Sequence, residues 1–267
     1  MTVPVVIAGA GPFRFVIDTG AERTVISREL ADQLGLPRGR EIRVTALTGT
    51  SIVGTVIIPS ISVSTLGGQR IEAPAFLAKD IGASGLLGVD ALQGHRVRID
   101  LDQGVMSVSA AKKRSGRVRR DPDEVVVRAK SRFGQLVVTD ANVDGVRVRV
   151  VLDTGTPVSI GNEALRRRLP RGGRISGSMQ LISVTGETLV TPYGAAAAMQ
   201  LGPMSIRNLP IAFAEVTPFQ IFGLDTKPAM LLGMDALRLF RRVDIDFANR
   251  ELRMLVPEGT AKGRNAG

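Results

Sequence analysis

Two Asp-Thr-Gly tripeptides, at residues 18–20 and 153–155, are the parts of this sequence best suited to chemistry. Each follows an apolar, strand-like run, and the two aspartates lie 135 residues apart. Two carboxylates that meet can share one proton across a bound water, so that one acts as base and the other as acid. The repeated motif therefore predicts that Asp18 and Asp153 form a pair that activates water.

The residues beside the two aspartates suit such a pair. Gly20 and Gly155 permit a tight turn and a close approach of two backbones without a Cβ clash. Thr19 and Thr154 supply hydroxyls that can lock the two loops to each other, and Thr156 adds another hydroxyl beside the second loop. The alternative is a pair of ordinary aspartates that accept bonds from local N–H groups. It explains either motif alone but not their matching flanks.

Four sequence blocks occur twice in the same order, which indicates a duplicated domain. The pairs are residues 13–27 with 148–162, 46–54 with 183–191, 84–92 with 229–237, and 96–108 with 241–255. The predicted organisation is a first lobe at 1–110, a basic linker at 111–124, a second lobe at 125–256 and a disordered tail at 257–267.

Within each copy the pattern predicts mostly short strands with a few short helices. Hairpin turns are predicted at residues 10–12 and 144–145, and helices at 27–35 and 162–169. Asp90 and Asp235, in the repeated Leu-Gly-x-Asp blocks, are interpreted as helix N-caps and not as catalytic acids.

Two Thr-Gly pairs stand between strand-like runs, one in each copy. These are Thr48 with Gly49 and Thr185 with Gly186. A turn pair between two such runs is typical of a hairpin. Both pairs are therefore predicted to be hairpin tips, with at least the first overhanging a cleft between the lobes.

The composition of the 267 residues excludes several kinds of site. Cysteine is absent, which removes disulfides, Cys-ligated zinc and thiol catalysis, and the single histidine, His95, leaves no multi-histidine metal site. Neither a metal nor an organic cofactor is therefore expected. The net charge of +10 is compatible with nucleic acid as a partner, but aromatic residues amount to only 4%, too few to stack on bases. Nucleic acid is therefore not the expected partner.

The start of the chain is strand-like and does not resemble a secretory signal. The longest uncharged run, residues 44–69, is broken by polar residues, glycine and Pro59, so it does not suit a membrane helix. A soluble chain is expected, cytoplasmic as written, and exported or anchored if a preceding segment was trimmed from it.

The residues around both Asp-Thr-Gly loops resemble the pepsin/retropepsin superfamily of aspartic proteases. Residues 11–21, Gly-Pro-Phe-Arg-Phe-Val-Ile-Asp-Thr-Gly-Ala, look like the bacterial retropepsin-like group. Residues 231–237, Leu-Leu-Gly-Met-Asp-Ala-Leu, are similar to the apolar-apolar-Gly block of that superfamily. The resemblance covers nearly all of the chain outside the linker and the tail.

This resemblance implies an all-β, bilobal acid-protease fold with two pseudo-symmetric β-barrel-like lobes and short helices. It also implies an aspartic endopeptidase in which Asp18 and Asp153 are the catalytic dyad, Thr19 and Thr154 interlock, and Thr48 and Gly49 form a flap tip. The expected substrate is a peptide or protein that binds in the cleft as an added strand. Because one chain supplies both carboxylates, a monomer is expected to suffice.

Some residues depart from the pattern of the superfamily. Val89 and Met234 stand where retropepsins usually carry arginine, and the first flap has no tyrosine. Two alternatives therefore stay open: a peptide-binding module of the same fold with weak or lost activity, and a nucleic-acid-binding protein that uses the basic linker and second lobe.

The residue after each Asp-Thr-Gly differs between the copies: Ala21 in the first and Thr156 in the second. A hydroxyl that donates to a carboxylate favours its charged form. The difference predicts that Thr156 lowers the pKa on the Asp153 side and that Asp18 is protonated more easily. Activity is expected at weakly acidic pH.

Overall fold

A computed structural model describes residues 1–64, 66–112, 123–132 and 134–257. The strands in this part of the chain are β1 (Val3–Ile7), β2 (Ala10–Ile17), β3 (Val25–Ser27), β4 (Arg38–Thr45), β5 (Thr50–Val63), β6 (Leu66–Phe76), β7 (Gly85–Leu87), β8 (His95–Asp100), β9 (Val105–Ala110), β10 (Glu124–Arg128), β11 (Lys130–Arg132), β12 (Gln135–Val143), β13 (Val146–Leu152), β14 (Ile160–Gly161), β15 (Gly177–Ile182), β16 (Thr188–Leu201), β17 (Met204–Phe213), β18 (Ala229–Leu232), β19 (Arg242–Asp246) and β20 (Glu251–Leu255). The helices are α1 (Arg28–Gln33), α2 (Ala78–Ile81), α3 (Val89–Leu92), α4 (Glu163–Arg166), α5 (Arg171–Arg174), α6 (Thr217–Ile221) and α7 (Met234–Leu237).

The first lobe is a seven-stranded sheet in the order β1-β2-β7-β3-β6-β5-β4. β1 also pairs with β5, so six strands close into a barrel and β4 extends beyond it. In β1 the side chains of Val3, Val5 and Ile7 are buried and the residues between them are exposed. Because successive side chains point to opposite faces of a strand, this alternation directs one row into the barrel.

The second lobe repeats this arrangement. Its sheet has the order β11-β12-β13-β18-β14-β17-β16-β15, and a second pairing of β12 with β16 closes six strands into a barrel. In each lobe one strand of the flap hairpin, β4 or β15, lies outside the closed part. The prediction of an all-β fold with two similar barrel lobes and short helices is confirmed.

A third sheet joins the two halves of the chain, in the order β10-β20-β19-β8-β9. β8 of the first half pairs along its length with β19 of the second half, Arg242 lying opposite Asp100. One face of this pair, with Val97, Ile99 and Val243, is fully buried in a core made mainly of Val, Ile and Leu. On the other face Arg98 bonds Asp244 at 2.7 Å.

Two of the predicted short helices form where expected, and both begin at a side-chain cap. Ser27 caps α1 by accepting a bond from the N–H of Leu30, and Asn162 caps α4 by accepting from Leu165. Such caps satisfy backbone donors that have no partner within the helix.

The first predicted hairpin turn is wrong by about two residues. β2 already begins at Ala10, and the turn lies at Ala8 and Gly9, which both have positive φ. The second predicted turn is confirmed at Asp144 and Gly145. The lobe boundaries stay a prediction, and most of the predicted linker (113–122) and tail (258–267) lies outside the described residues.

Candidate active site

The two Asp-Thr-Gly loops leave the ends of matching strands. Asp18 follows β2 and Asp153 follows β13, and each of these strands runs parallel to a neighbour, β7 or β18. The N–H of Asp18 donates to the carbonyl of Leu87 at 2.9 Å, and the N–H of Asp153 donates to Leu232 at 3.0 Å. The backbone of both aspartates is therefore fixed by a buried parallel strand.

The hydroxyls of Thr19 and Thr154 tie the loops across the lobes, as predicted from the sequence. Thr19 Oγ1 donates to the carbonyl of Leu152 at 2.8 Å and accepts from the N–H of Thr154 at 3.1 Å. Thr154 Oγ1 donates to the carbonyl of Ile17 at 2.7 Å and accepts from the N–H of Thr19 at 3.2 Å. Both threonines are buried, so these four bonds are shielded from water.

The two glycines let the aspartates meet. A Cβ on Gly20 would lie 2.6 Å from Cγ of Asp153, and a Cβ on Gly155 would collide with the carboxyl of Asp18. Any larger residue would therefore push the opposite carboxyl away. The two carboxyls therefore lie close together across the loops.

Each carboxyl also accepts bonds from its own loop. Asp18 Oδ1 accepts from the N–H groups of Gly20 at 2.8 Å and Ala21 at 3.0 Å. Asp153 Oδ1 accepts from the N–H of Gly155 at 3.0 Å. One oxygen of each group is thus held by the backbone, which leaves the other oxygen for the opposite carboxyl or a ligand.

The pKa of both aspartates is raised. For Asp18 the main cause is removal from water, opposed by the bonds from Gly20 and Ala21. For Asp153 removal from water again acts first, and the adjacent negative charge of Asp18 adds to it, so this pKa is raised well above its usual value. The pair therefore retains a proton to higher pH than a solvated aspartate.

Thr156 does not act as predicted from the sequence. Its hydroxyl donates to the carbonyl of Val158 at 3.0 Å, and because it has a single proton it does not donate to Asp153. The prediction that the Thr156 hydroxyl lowers the pKa of Asp153 by donating to it is therefore wrong.

Asp90 and Asp235 support the loops rather than cap helices. The N-caps of α3 and α7 are Gly88 and Gly233, so the N-cap interpretation is wrong. Asp90 accepts from the N–H and hydroxyl of Thr24 at 2.9 and 2.8 Å. Each aspartate thereby ties its helix to the chain six residues beyond a dyad aspartate.

Asp235 makes the same contacts in the second lobe, where Ser159 donates its N–H at 3.0 Å and its hydroxyl at 2.7 Å. Sequence reasoning missed Thr24 and Ser159. The sequence nevertheless pointed to them, because Thr24 and Ser159 lie 135 residues apart, the same spacing as Asp18 and Asp153.

The predicted flap residues lie at hairpin tips. Thr48 and Gly49 are in the turn between β4 and β5, which the N–H of Ala46 closes by donating to Gly49 at 2.8 Å. Thr185 and Gly186 are in the corresponding turn between β15 and β16. The term flap is used below for these two hairpins, β4–β5 and β15–β16.

The two flaps meet each other and the opposite lobes. Thr48 Oγ1 of the first flap donates to Glu187 of the second at 2.5 Å. The carbonyl of Leu47 accepts from the N–H of Thr217 at 3.2 Å, and its side chain packs on apolar residues of the second lobe. In the other direction Val184 packs on apolar residues of the first lobe. Both flaps therefore cover the dyad in a closed arrangement.

A cavity of about 290 Å³ lies between the dyad and the flaps. It is lined by both aspartates and by residues of both lobes, including Leu47, Val184 and Gln135. This volume is at the lower end of ligand pockets, so an extended peptide requires the flaps to move apart. Gln135, which sequence reasoning also missed, donates from the second lobe to the carbonyl of Gly20 at 2.5 Å.

Two family models match the chain, one in each half. The family described as "gag-polyprotein putative aspartyl protease" matches residues 3–94, and the family described as "Aspartyl protease" matches residues 138–236. Each half of the chain therefore carries an aspartyl protease domain. The resemblance drawn from its two Asp-Thr-Gly loops is thereby confirmed, and the two matched domains support an aspartic protease function.

Among solved structures, a retropepsin-like aspartic protease from Rickettsia conorii is similar to this chain at 19% sequence identity. The match covers 49% of this chain and 89% of that one, with a TM-score of 0.34. No curated protein matches the chain.

Two further features of the described residues concern metal binding and the membrane. In this part of the chain no group of three or more histidine, aspartate or glutamate side chains is placed to hold a metal ion. No helix among the described residues is long and apolar enough to cross a membrane.

Proposed function

We propose that this protein is an aspartic endopeptidase that hydrolyses peptide bonds with a water held between Asp18 and Asp153. The observation that carries the proposal is the pair of carboxyls, which the two loops bring together under two closed flaps. The raised pKa of both groups supports a dyad that keeps one proton while the other carboxyl is ionised.

The hydrogen bonds of the two loops assign the roles. Asp18 Oδ1 accepts two backbone N–H bonds, so Asp18 is the ionised base, whereas Asp153 Oδ1 accepts one and Asp153 holds the shared proton. The water oxygen bonds to the peptide carbonyl carbon as its proton passes to Asp18. The carbonyl oxygen takes the proton of Asp153, which produces a neutral tetrahedral diol.

The second step restores the dyad. Asp18 gives its proton to the amide nitrogen as the carbon–nitrogen bond breaks, and one diol hydroxyl returns its proton to Asp153. The products are a carboxylic acid and an amine. This cycle needs only groups of this chain, so a monomer suffices.

The substrate is a peptide in extended conformation. A strand entering the cleft pairs by backbone bonds with the flaps, of which Thr48, Gly49, Thr185 and Gly186 form the tips. The contacts Thr48–Glu187 and Leu47–Thr217 open to admit it and re-form around it. Closure excludes water from the dyad apart from the one that reacts.

A peptide-library digest at several pH values tests the proposal. We expect cleavage inside the peptides by the wild type, and Asp18→Asn and Asp153→Asn to lower kcat by at least about 10⁴-fold, because members of one catalytic unit are each indispensable. Asp32→Asn, which changes an exposed aspartate on α1, is the matched control and retains activity.

Two outcomes would contradict the dyad. One is turnover by either dyad variant within about tenfold of the wild type, with unchanged circular dichroism. The other is tight peptide binding by the wild type without cleavage at any pH, which would show that the chain is a binding module of this fold.

A further inference from the structure

The walls of the cavity differ between the lobes at positions that the strand register makes equivalent. Val25 lies opposite Leu86 in the first lobe, and Ile160 lies opposite Leu231 in the second. Val25 and Ile160 each lie seven residues after a dyad aspartate. Phe76 and Ala214 are equivalent in the same way. Phe76 lies beside β3 in the first lobe, and Ala214 takes the corresponding place beside β14 in the second.

In the first lobe this wall is open to the cavity. Val25, Phe76 and Leu86 all line it, with exposed fractions of 7%, 4% and 6%. They form one apolar cluster with Val53, covered on one side by Val184 of the second flap. The name first-lobe pocket is used below for the recess formed by Val25, Phe76 and Leu86.

In the second lobe the equivalent wall is covered. Ile160 and Leu231 are 0% and 1% exposed, and neither lines the cavity. They pack in one cluster with Ala214, Phe219 and Phe222. Phe222, itself 2% exposed, lines the cavity where the recess would otherwise open.

The cause is a longer connection in the second lobe. Residues 77–84 connect Phe76 to β7, whereas residues 215–229 connect Ala214 to the equivalent position in β18, which is seven residues more. This extra length carries α6 and Phe222. The small side chain of Ala214, in place of the phenylalanine of the first lobe, leaves room for the rings.

We infer that the cleft selects a large apolar side chain on only one side of the scissile bond. That side chain fills the first-lobe pocket. In the second lobe Phe222 occupies the equivalent volume, so the substrate residue on the other side of the scissile bond is not selected for size. This inference rests on the proposed peptidase activity, because it names the substrate class of the same cleft. Phe222 is the specificity-determining residue.

The test is a peptide library in which the two residues flanking the scissile bond vary independently. Each added methylene in an apolar pocket changes kcat/KM by roughly tenfold or more. We expect leucine or phenylalanine to exceed alanine by at least about tenfold at one flanking position and by less than about threefold at the other.

Two variants locate the cause. Phe222→Ala opens the second wall and creates a selection for large apolar residues at the formerly tolerant position, with the first position unchanged. Phe222→Leu does the same to a smaller degree and keeps most of the packing. Phe76→Ala, the matched change in the first lobe, shifts the existing selection to larger side chains and leaves the other position alone.

The outcomes separate this inference from the proposed function. Equal selection at both positions by the wild type overturns the inference and leaves the peptidase intact. Unchanged selection in folded Phe222→Leu overturns the role of Phe222. Absence of cleavage of every peptide overturns the proposed function, and the inference with it.

Discussion

The two lobes present the same aspartate loop in unequal surroundings. In both, a threonine hydroxyl crosses to the other lobe and an aspartate from the Leu-Gly-x-Asp block binds a hydroxyl residue behind the loop. The walls beside the loops differ, since the second lobe has the longer connection with α6. The two loops contact each other, so a change in one must fit the other. Each cavity wall belongs to a single lobe, so its residues can differ without a matching change in the other lobe.

The largest loss of kcat should come from substitution of Gly20 or Gly155, and the two variants should be affected equally. Gly20→Ala and Gly155→Ala each place a Cβ against the opposite carboxyl, and we expect both to lower kcat by about 10²-fold or more, since small misplacements are costly. Gly67→Ala, in β6 outside both flaps and with no atom within 4 Å of its added Cβ, is the control. A tolerated alanine at either position would show that the loops do not meet this closely.

The threonine interlock should also act equally in both lobes. Thr19→Val and Thr154→Val keep the shape but remove a buried hydroxyl and leave backbone groups unpaired, so each should lower the free energy of unfolding by about 1–3 kcal/mol. Urea denaturation measures this. If one variant were destabilised and the other were not, the interlock would be carried by one lobe.

The pH dependence of stability should be shared by the two aspartates. Because both pKa values are raised above 3.8, the folded state binds more protons than the unfolded state at intermediate pH. This contribution is fully present below the unfolded pKa and is lost as pH rises through the folded pKa, by up to about 1.4 kcal/mol per pH unit for each proton.

Asp153→Asn and Asp18→Asn should therefore each flatten the decline in stability above pH 4, because either change removes one of the two carboxyls whose pKa is raised and its coupling to the other. The measurement is the urea midpoint of the three proteins from pH 4 to pH 8. A wild type whose midpoint rises in parallel with that of Asp153→Asn over this range would contradict the raised pKa.

The smallest effect is expected at the flap tips, where the lobes differ. Thr48→Val removes the bond to Glu187, so we expect KM to change by about two- to fivefold. Thr185→Val is the matched control, since that hydroxyl bonds Ser183 of its own hairpin. Equal effects of the two variants would show that the contact between the flaps is unimportant.

The repetition in the sequence made the centre of the molecule predictable. Both aspartates, the interlocking threonines and the two hairpin tips were identifiable because each residue type recurred with the same flanks. The barrel strands followed from alternating apolar residues, and the short helices from Ser27 and Asn162.

What could not be predicted depends on contacts between distant residues. The direction of the Thr156 hydroxyl is set by a carbonyl two residues on, which competes with the carboxyl for a single proton. The Gln135 side chain donates to the carbonyl of Gly20 in the other lobe, and no local sequence pattern predicts that hydrogen bond. Phe222 lies in a segment of the second copy that has no matching segment in the first, so comparing the copies could not predict its position at the cavity.

The sheet shared by both halves has a consequence for how the chain is made. β8 pairs on one edge with β9, which follows it in sequence, but its other edge is completed only by β19 (Arg242–Asp246) of the second half. β19 is in turn paired with β20, which ends at Leu255. Pairings so distant in sequence form late, after the loop between them has been closed. During synthesis this edge of the first half therefore stays unpaired until residues 242–246 have left the ribosome. Asp18 likewise leaves the ribosome 135 residues before Asp153, the aspartate that completes the pair.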